Sequence, residues 1–334
     1  MIGPQRYRPE PATSVRLGLW GPPGSGKTTF LAALQIATTR AQGAGPVDWI
    51  MSGRDDASVR FLVESVHRLA TEKRFPTATD DSRGLSFRFS GVHTGQRLRW
   101  QKRPPETLSF ELDVLDVPGR FYDGSPVDET GADFAIAGAQ ASTAVKPDAR
   151  LIDHLHHCDG IIFLFDPQRE ERERDAFRYF HGVLQRLTGK VMENETFPGP
   201  RLPHRVAVCV SKFDDYEVFD HARRSGYTVR STTPPHMPEV SPDRARQYFA
   251  SLCADPGSNA DLVESGLRQY FDTLGYFVSS SIGFNIGRKR FQLNDFLNTH
   301  YDGDALRIRD AVRPINVLEP LLWLHDSVRQ DQRR

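Results

Sequence analysis

Six short apolar runs along the chain have the composition of buried β-strands, and segments with a helical spacing of apolar residues separate most of them. One such segment carries Phe30, Leu34 and Ala37 on one face, and another has a helical spacing of apolar residues at Val59, Leu62, Val63, Val66, Leu69 and Ala70. Alternating strands and helices predict a mostly parallel sheet with helices on both faces, a three-layer α/β fold with insertions. The six predicted strands lie near residues 14–20, 85–91, 107–116, 160–166, 205–211 and 276–281.

The composition and charge balance limit what kind of partner the protein can have. The chain has 334 residues, of which 38% are hydrophobic and 26% are charged, so it can bury a sizeable core. Its 43 basic residues equal its 43 acidic residues, and this neutrality argues against a polyanion as the main partner. We therefore predict no nucleic-acid partner.

Cysteine content and hydropathy indicate the compartment. The three cysteines, Cys158, Cys209 and Cys253, are too far apart in sequence to suggest a zinc site or a disulfide framework, as is typical of a reducing compartment. No apolar run approaches the roughly 18 residues that a membrane helix needs, and the N-terminal residues lack the apolar core of a signal peptide. We predict a cytoplasmic protein without a membrane span.

The most informative segment follows the first predicted strand. Residues 21–28 read Gly-Pro-Pro-Gly-Ser-Gly-Lys-Thr and satisfy the pattern G-x-x-x-x-G-K-[ST] at every fixed position. In such a loop, backbone N–H groups and a helix N-terminus surround a polyphosphate, and glycines permit the close approach.

This loop predicts nucleotide binding and the fold of a P-loop NTPase. Lys27 is expected to reach the β- and γ-phosphates, and the Thr28 hydroxyl is expected to ligate Mg²⁺. The predicted nucleotide contacts in this segment are Gly21, Pro22, Pro23, Gly24, Ser25, Gly26, Lys27, Thr28 and Thr29.

A second carboxylate near Mg²⁺ distinguishes the classes of P-loop protein, and two aspartates are candidates. Asp116 ends one apolar run and begins the sequence Asp-Val-Pro-Gly, which finishes at Gly119, whereas Asp166 ends another run and precedes a proline. ATPases of the AAA and STAND types place a glutamate directly after this aspartate, and neither candidate has one. Asp116 with Gly119 suits a GTPase, in which the aspartate holds Mg²⁺ through water and the glycine N–H senses the γ-phosphate. We interpret Asp166 as an ordinary residue at the end of the next parallel strand.

Two further segments at predicted strand ends resemble sites that recognise a base. The sequence Ser-Lys-Phe-Asp, which begins at Ser211, resembles the N/T-K-x-D box of GTPases, with serine in place of asparagine or threonine. The resemblance implies that the Lys212 stem lies against the base and that Asp214 accepts two hydrogen bonds from guanine, a donor pair that adenine lacks. Ser280 and Ser281 resemble the S-A-x box, whose backbone contacts the guanine O6 atom, with Ser281 replacing the alanine.

The order of these motifs resembles that of GTPases of the translation-factor-related (TRAFAC) class. Within this class the chain is most similar to the bacterial GTPase-like proteins known as double-GTPases, and residues 314–324 also resemble that group. The motifs and their strands match over roughly residues 14–283. The resemblance implies that the cofactors are GTP or GDP and Mg²⁺ and that the protein is a molecular switch.

The resemblance also implies a switch threonine and the groups that act in hydrolysis. Thr79 is favoured over Thr77 as the Mg²⁺ ligand that senses the γ-phosphate, with an ordinary loop threonine as the alternative. Arg120 stands where Ras-like enzymes have glutamine, and it either acts in cis on the γ-phosphate or pairs with a surface carboxylate. Lys27 and Gly119 complete the predicted catalytic set. Without an arginine in cis, intrinsic turnover is expected to be slow, and a partner that supplies one would raise it.

Most of the chain is expected to form one enlarged P-loop domain, residues 12–334, after an N-terminal tail of residues 1–11. Insertions are expected near residues 92–107, 120–150, 189–204 and 215–275. The extra length is expected to serve contacts with an effector or an activating protein. The sequence leaves open whether a nucleotide-dependent dimer forms.

Three functions remain open on the sequence alone. The first is a Mg²⁺-dependent switch that binds and hydrolyses GTP. The second is an ATP-using P-loop enzyme, against which Asp214 argues. The third is a nucleotide-binding interaction module with little hydrolysis, which the absence of a glutamine after Gly119 supports.

Overall fold

Strands and helices alternate along most of the chain. The computed structural model describes residues 15–41, 47–76, 83–93, 107–116, 147–193, 201–232, 234–287 and 290–332. The strands in these ranges are β1 (Val15–Trp20), β2 (Val47–Gly53), β3 (Arg83–His93), β4 (Thr107–Asp116), β5 (Gly160–Phe165), β6 (Arg205–Val210), β7 (Thr228–Arg230), β8 (Pro238–Val240), β9 (Leu274–Val278), β10 (Thr299–Asp302) and β11 (Ala305–Ile308). The helices are α1 (Lys27–Arg40), α2 (Asp56–Ala70), α3 (Pro147–His156), α4 (Pro167–Glu173), α5 (Ala176–Glu193), α6 (Tyr216–Arg224), α7 (Pro242–Cys253), α8 (Ala260–Tyr270) and α9 (Glu319–Gln332).

Seven of these strands form one sheet, in the spatial order β2-β3-β4-β1-β5-β6-β9. Strands β4, β1, β5, β6 and β9 run parallel, whereas β3 is antiparallel to both of its neighbours. All six predicted strands are present, so the prediction of a mostly parallel α/β sheet is confirmed. The predicted count of six was wrong, because β2 adds a seventh strand at one edge. Its polar residues Asp48 and Ser52 interrupt the apolar run on which the prediction relied.

Strand β5 explains why helices cover both faces of the sheet. All six of its residues are buried, since it lies between β1 and β6 in the middle of the sheet. Ile161, Phe163 and Phe165 belong to the apolar cluster on one face, and Ile162 and Leu164 belong to the cluster on the other. Two separate cores therefore flank one sheet, as a three-layer fold requires.

Different helices complete the two cores. On one face α3, α5, α7 and α8 supply apolar side chains, among them Phe180 and Phe249. On the other face Phe30 and Leu34 of α1 pack together with Leu321 of α9. Because α1 follows β1 closely, its packing on the sheet determines the position of the loop between them.

Helix α2 buries both leucines of its predicted apolar set but exposes two of the valines. The helix is present, but Val59 and Val63, expected on its buried face, are 45% and 66% exposed. Ser58 and Ser65 are buried instead, and Ser58 Oγ accepts a 2.8 Å hydrogen bond from the backbone N–H of Ser86 on β3. A hydrogen bond from strand to helix thus compensates the burial of the Ser58 hydroxyl.

Helix α5 is amphipathic, as are most of the helices on the surface of the sheet. The longest in the described ranges, α5, has 18 residues; it buries Phe180, Val183 and Leu187 and exposes charged residues such as Arg178. None of the described helices is both long enough and apolar enough to cross a membrane.

The turn after β9 brings the backbone at Gly283 close to the backbone at Arg313, and a substitution at Gly283 tests how much this approach stabilises the protein. Its φ is +67°, and a Cβ there would lie 2.0 Å from the backbone oxygen of Arg313. We expect Gly283→Ala to lower the free energy of unfolding by about 2–4 kcal/mol, because positive φ and a forced backbone shift both cost energy. Urea denaturation measures this loss.

Gly287→Ala is the matched control. Gly287 also has a positive φ, +58°, but a Cβ there would meet no atom within 4 Å. Its substitution is expected to cost only about 1 kcal/mol. Equal losses in the two variants would show that the approach to Arg313 does not stabilise the turn.

Candidate functional site

The loop after β1 has the geometry of a phosphate-binding loop. Gly24 and Gly26 adopt φ angles of +70° and +91°, and a Cβ built at either position would meet no atom within 4 Å. The space beside both glycines is therefore open to a ligand. Since α1 begins at Lys27, its N-terminal N–H groups and their partial positive charge lie next to this space.

Lys27 is held against the loop. Its side chain is buried, and Nζ donates hydrogen bonds to the backbone oxygens of Gly21 at 2.9 Å and Pro22 at 3.0 Å. The ammonium charge is thereby fixed where the loop would receive a polyphosphate.

The loop also packs tightly on the neighbouring strand. A Cβ at Gly21 would lie 3.0 Å from the backbone oxygen of Leu164 on β5 and 2.8 Å from Ser25 Oγ. A side chain at Gly21 would force the loop away from β5, so the first glycine of the motif is required by packing as well as by the ligand.

The structure describes part of the predicted metal and catalytic set. Thr28 and Thr29 occupy the first turn of α1. The β1–β4 register pairs Leu17 with Leu112, and its continuation places the backbone of Asp116 level with Gly21, at the start of the phosphate loop. Outside the described residues lie Thr79, Gly119, Arg120 and the side chain of Asp116, whose roles stay predictions.

The loop after β6 carries the residues that resemble a base-recognition box. Ser211 donates to the carbonyl of Phe165 through both its N–H (2.8 Å) and its hydroxyl (3.1 Å), which ties the end of β6 to the end of β5. Lys212 adopts a φ of +57°, an uncommon conformation for lysine. Phe213 is fully buried against Phe219 and anchors the loop. The serine that departs from the usual box therefore joins two strand ends.

The structure brings together Asp214 and Ser280, which are 66 positions apart in sequence. Ser280 Oγ donates a short hydrogen bond to Asp214 Oδ1 and accepts one from the backbone N–H of Gly283 at 2.7 Å. Ser280 is fully buried, and Asp214 is half-buried. The hydroxyl thus fixes the orientation of the carboxylate.

Removal from water governs the protonation of Asp214. Although the residue keeps some contact with solvent, close packing around its carboxyl group raises the pKa to about 6, and the hydrogen bond from Ser280 offsets part of that rise. Among the described residues, no lysine or arginine forms an ion pair with Asp214. At pH 7 the group is mostly ionised, and its oxygens can accept further hydrogen bonds.

Ser280 and Ser281 divide the role expected of the S-A-x box. The Ser280 N–H donates to the Ile315 carbonyl at 3.0 Å, so Ser280 contributes its hydroxyl rather than its N–H. Within the described part of the chain, no residue accepts a hydrogen bond from the N–H of the half-buried Ser281. That N–H is the backbone donor available to a ligand oxygen at this position.

Asp166 contacts the site in a way that the sequence did not reveal. Its buried carboxylate forms a 2.5 Å ion pair with Nζ of Lys212 and caps α4 by accepting a 3.3 Å hydrogen bond from the N–H of Arg169. Asp166 is a strand-end residue, as expected, but it also positions the lysine of the base box. The Asp-Pro sequence signals the helix cap, whereas nothing local signals a contact across 46 positions.

All these groups follow the C-terminal ends of parallel strands, so they lie along the same edge of the sheet, the one formed by the ends of β1, β5, β6 and β9. The phosphate loop follows β1 at the centre, Lys212 and Asp214 follow β6, and Ser280 follows β9. The edge therefore offers cationic and amide donors at its centre and a carboxylate acceptor to one side. Such a site can bind a polyphosphate at one end and a donor-bearing base at the other.

Comparisons with known proteins add little to this geometry. No protein-family model matches the chain, and no curated protein matches it. Among solved structures, the chain is similar to one from the signal recognition particle receptor SRb-GTP/SRX complex of Chaetomium thermophilum, with 13% sequence identity and a TM-score of 0.38. The similarity covers 83% of this chain and 95% of that chain. At this level the similarity carries no information about the ligand of the present chain.

The raised pKa of Asp214 predicts a pH-dependent stability. The pKa of this carboxyl group rises from its ordinary value of 3.8 in the unfolded chain to about 6 in the folded one. The folded state binds more protons between these values, so the free energy of unfolding falls as the pH rises from about 4 to about 6 and stays lowered above. Asp214→Asn lacks this effect and is expected to be more stable than the wild type at pH 7 by ~1–3 kcal/mol. Urea denaturation at pH 4 and pH 7 measures the difference.

Ser280→Ala distinguishes this effect from a general change in packing. The variant keeps the carboxyl group but removes the hydrogen bond that favours its charged form, so the pKa of Asp214 should rise further. The pH window of destabilisation should then extend above 6. An Asp214→Asn variant whose stability parallels that of the wild type at both pH values would contradict the assignment.

Proposed function

We propose that the protein binds GTP and GDP with Mg²⁺, hydrolyses GTP slowly, and acts as a molecular switch through protein partners. The observation that carries this proposal is the carboxylate of Asp214, oriented by Ser280 at the same sheet edge as the phosphate loop. A phosphate loop alone serves any nucleotide, whereas the carboxylate selects among bases.

The chemistry of Asp214 favours guanine. Guanine presents two adjacent donors, the N1–H and the exocyclic amine, and an ionised carboxylate can accept both. Those two hydrogen bonds would favour the charged form and offset the loss of hydration that raises the pKa of Asp214. Adenine lacks this donor pair, so it would leave the carboxylate without compensation.

The Ser281 N–H supports the same base. Guanine carries an oxygen at position 6 that accepts a hydrogen bond, whereas adenine carries an amine there that donates one. A backbone N–H at this position therefore matches guanine and opposes adenine. Asp214 and Ser281 together would match both the donors and the acceptor of guanine.

At the other end of the site, Lys27 and the N-terminus of α1 would bind the β- and γ-phosphates. Mg²⁺ prefers oxygen ligands and keeps several waters, so a hydroxyl, a carboxylate and the phosphates suffice to hold it. Thr28, Thr79 and Asp116 are the proposed protein ligands. The metal would neutralise charge that develops on the transferred phosphoryl group.

Slow hydrolysis follows from the residues proposed around the γ-phosphate. Gly119 is proposed to sense this phosphate, and Arg120 occupies the position at which a glutamine would orient the attacking water. An activating protein that supplies an arginine would raise the rate by ~10³–10⁵. We propose that the enlarged single domain, residues 12–334, provides the surfaces for such partners in the cytoplasm.

Isothermal titration calorimetry with GTPγS and ATPγS in the presence of Mg²⁺ tests the preference for guanine. The wild type is expected to bind GTPγS at least ~100-fold more tightly than ATPγS, and Asp214→Asn should lose most of this difference because its amide repels one guanine donor. Lys27→Ala should abolish the binding of both ligands. The proposal would be contradicted if the wild type preferred ATPγS and Asp214→Asn kept the same preference.

Xanthine provides a positive test of the same contact. The asparagine of Asp214→Asn offers one acceptor and one donor, which match the N1–H and the 2-oxo group of xanthine. This variant is therefore expected to gain affinity for xanthosine triphosphate while it loses affinity for GTPγS. A misfolded variant would bind neither nucleotide, so the exchange of preference separates recognition from damage.

A further inference from the structure

We propose that Arg169 is a positioning residue of the phosphate site. Through the carbonyl of Pro23 it fixes the Pro23–Gly24 peptide so that the Gly24 N–H is presented to the phosphates of the bound nucleotide. The inference rests on the proposed function only in that the ligand is a nucleotide; it does not depend on which base that nucleotide carries.

The guanidinium of Arg169 joins two partners. Nη1 donates to the backbone oxygen of Pro23 at 3.1 Å, although Arg169 lies on α4 and is 146 positions away in sequence. Nε and Nη2 donate to the two carboxylate oxygens of Asp175 at 3.0 and 2.5 Å. The side chains of Arg169 and Asp175 are only 21% and 14% exposed. Because the paired hydrogen bonds fix the plane of the guanidinium, they also fix the direction of the bond to Pro23.

A fixed carbonyl also fixes the amide that follows it. The only cis peptide among the described residues joins Pro234 and Pro235, so the Pro23–Gly24 peptide is trans. In a trans peptide the C=O and the N–H point in opposite directions. With its oxygen turned to Arg169, this peptide must direct the Gly24 N–H away from Arg169, and no described residue accepts a hydrogen bond from it.

The Gly24 N–H matters because the loop has few backbone donors. Pro22 and Pro23 have no N–H, and the N–H of Ser25 already donates to the Pro22 carbonyl at 3.2 Å. Gly24 thus supplies the first backbone N–H after the two prolines that a phosphate oxygen can use. If the Gly24 N–H were turned away, the phosphate would lose a hydrogen bond, and hydrogen bonds to charged acceptors are among the stronger ones.

Three consecutive carbonyls of the loop accept hydrogen bonds from cations. Lys27 holds the oxygens of Gly21 and Pro22, and Arg169 holds that of Pro23. Lys27 belongs to the sequence pattern of the loop, whereas Arg169 comes from a separate helix. Of the three, the Pro23 carbonyl is the one held by a cation from outside the loop, and its partial negative charge is turned toward the Arg169 guanidinium.

In the part of the chain that the structure describes, Arg169 is the hydrogen-bond donor to the Pro23 carbonyl. Gly24 tolerates positive and negative φ, and a Cβ there would meet no atom within 4 Å, so Gly24 itself places no steric limit on rotation of this peptide. Without Arg169, a rotated peptide would present the Pro23 oxygen to the phosphates in place of the Gly24 N–H. Repulsion would then replace a hydrogen bond.

The decisive measurement is the affinity of Arg169→Ala for GTPγS and for ATPγS by calorimetry. We expect both affinities to fall by the same factor, ~10–100-fold, so that their ratio is unchanged. Arg169→Lys should recover part of the loss, because it keeps the charge but not the paired hydrogen bonds to Asp175. Asp175→Asn retains the arginine but weakens the paired hydrogen bonds that orient it. Its affinities for both nucleotides should lie between those of the wild type and those of Arg169→Ala.

Arg172→Ala is the matched control. Arg172 lies on the same helix and is exposed, and its Nε donates to the backbone oxygen of Gln168 within α4. Its substitution is expected to change neither affinity by more than about twofold. In protein labelled with ¹⁵N-glycine, the Gly24 amide resonance should shift on addition of GDP in the wild type and in Arg172→Ala, and should shift much less in Arg169→Ala.

Wild-type affinities in Arg169→Ala, or an equal loss in Arg172→Ala, would overturn the proposal. If Arg169→Ala does not fold, Arg169→Lys and Asp175→Asn decide the matter in the same assay, and unchanged affinity in both would overturn it as well. The ratio of the two affinities reports separately on base selectivity. A protein that preferred ATPγS would contradict the proposed function and would still show the loss caused by Arg169→Ala.

Discussion

Five parallel strands that end at one edge of the sheet bring together residues that are far apart in the chain. Two apolar cores fix the register of these strands, because a shift by one residue would exchange the side chains of β5 between the two faces. The same shift would move the loops that follow β1, β6 and β9. The packing of the cores therefore determines where Asp214 and Ser280 meet, and where both lie relative to the phosphate loop.

The charged groups along this edge are of two kinds. Lys212 and Arg169 form ion pairs with Asp166 and Asp175, and these pairs hold the ends of loops in place. Asp214 instead receives a hydrogen bond from a neutral hydroxyl, and its raised pKa reflects the absence of stronger compensation among the described residues. The paired groups therefore hold the site in place, whereas the ionised carboxylate of Asp214 can accept further hydrogen bonds.

The sequence predicted those features that depend on residues close together in the chain, and it missed those that depend on residues far apart. The conformation of the loop after β1 was predictable because positive φ favours glycine at fixed, closely spaced positions such as Gly24 and Gly26. The edge strand β2 was missed because an edge strand tolerates polar residues, and the burial of Ser58 on α2 was missed because its hydrogen-bond partner lies on β3. The contacts of Asp166 and Arg169 span 46 and 146 positions, so they exist only once the sheet has formed.

Pro22 and Pro23 give the phosphate loop a property beyond its hydrogen bonds. Each ring restricts the φ of its residue to about −65°, so the loop has few conformations to lose when a ligand orders it. Glycines in these places would let the loop sample many more shapes, and association would then carry a larger entropic penalty. A loop that is ordered before binding also affects the association rate. The rate at which such a loop binds an anion is limited by diffusion and orientation, since no folding step precedes binding.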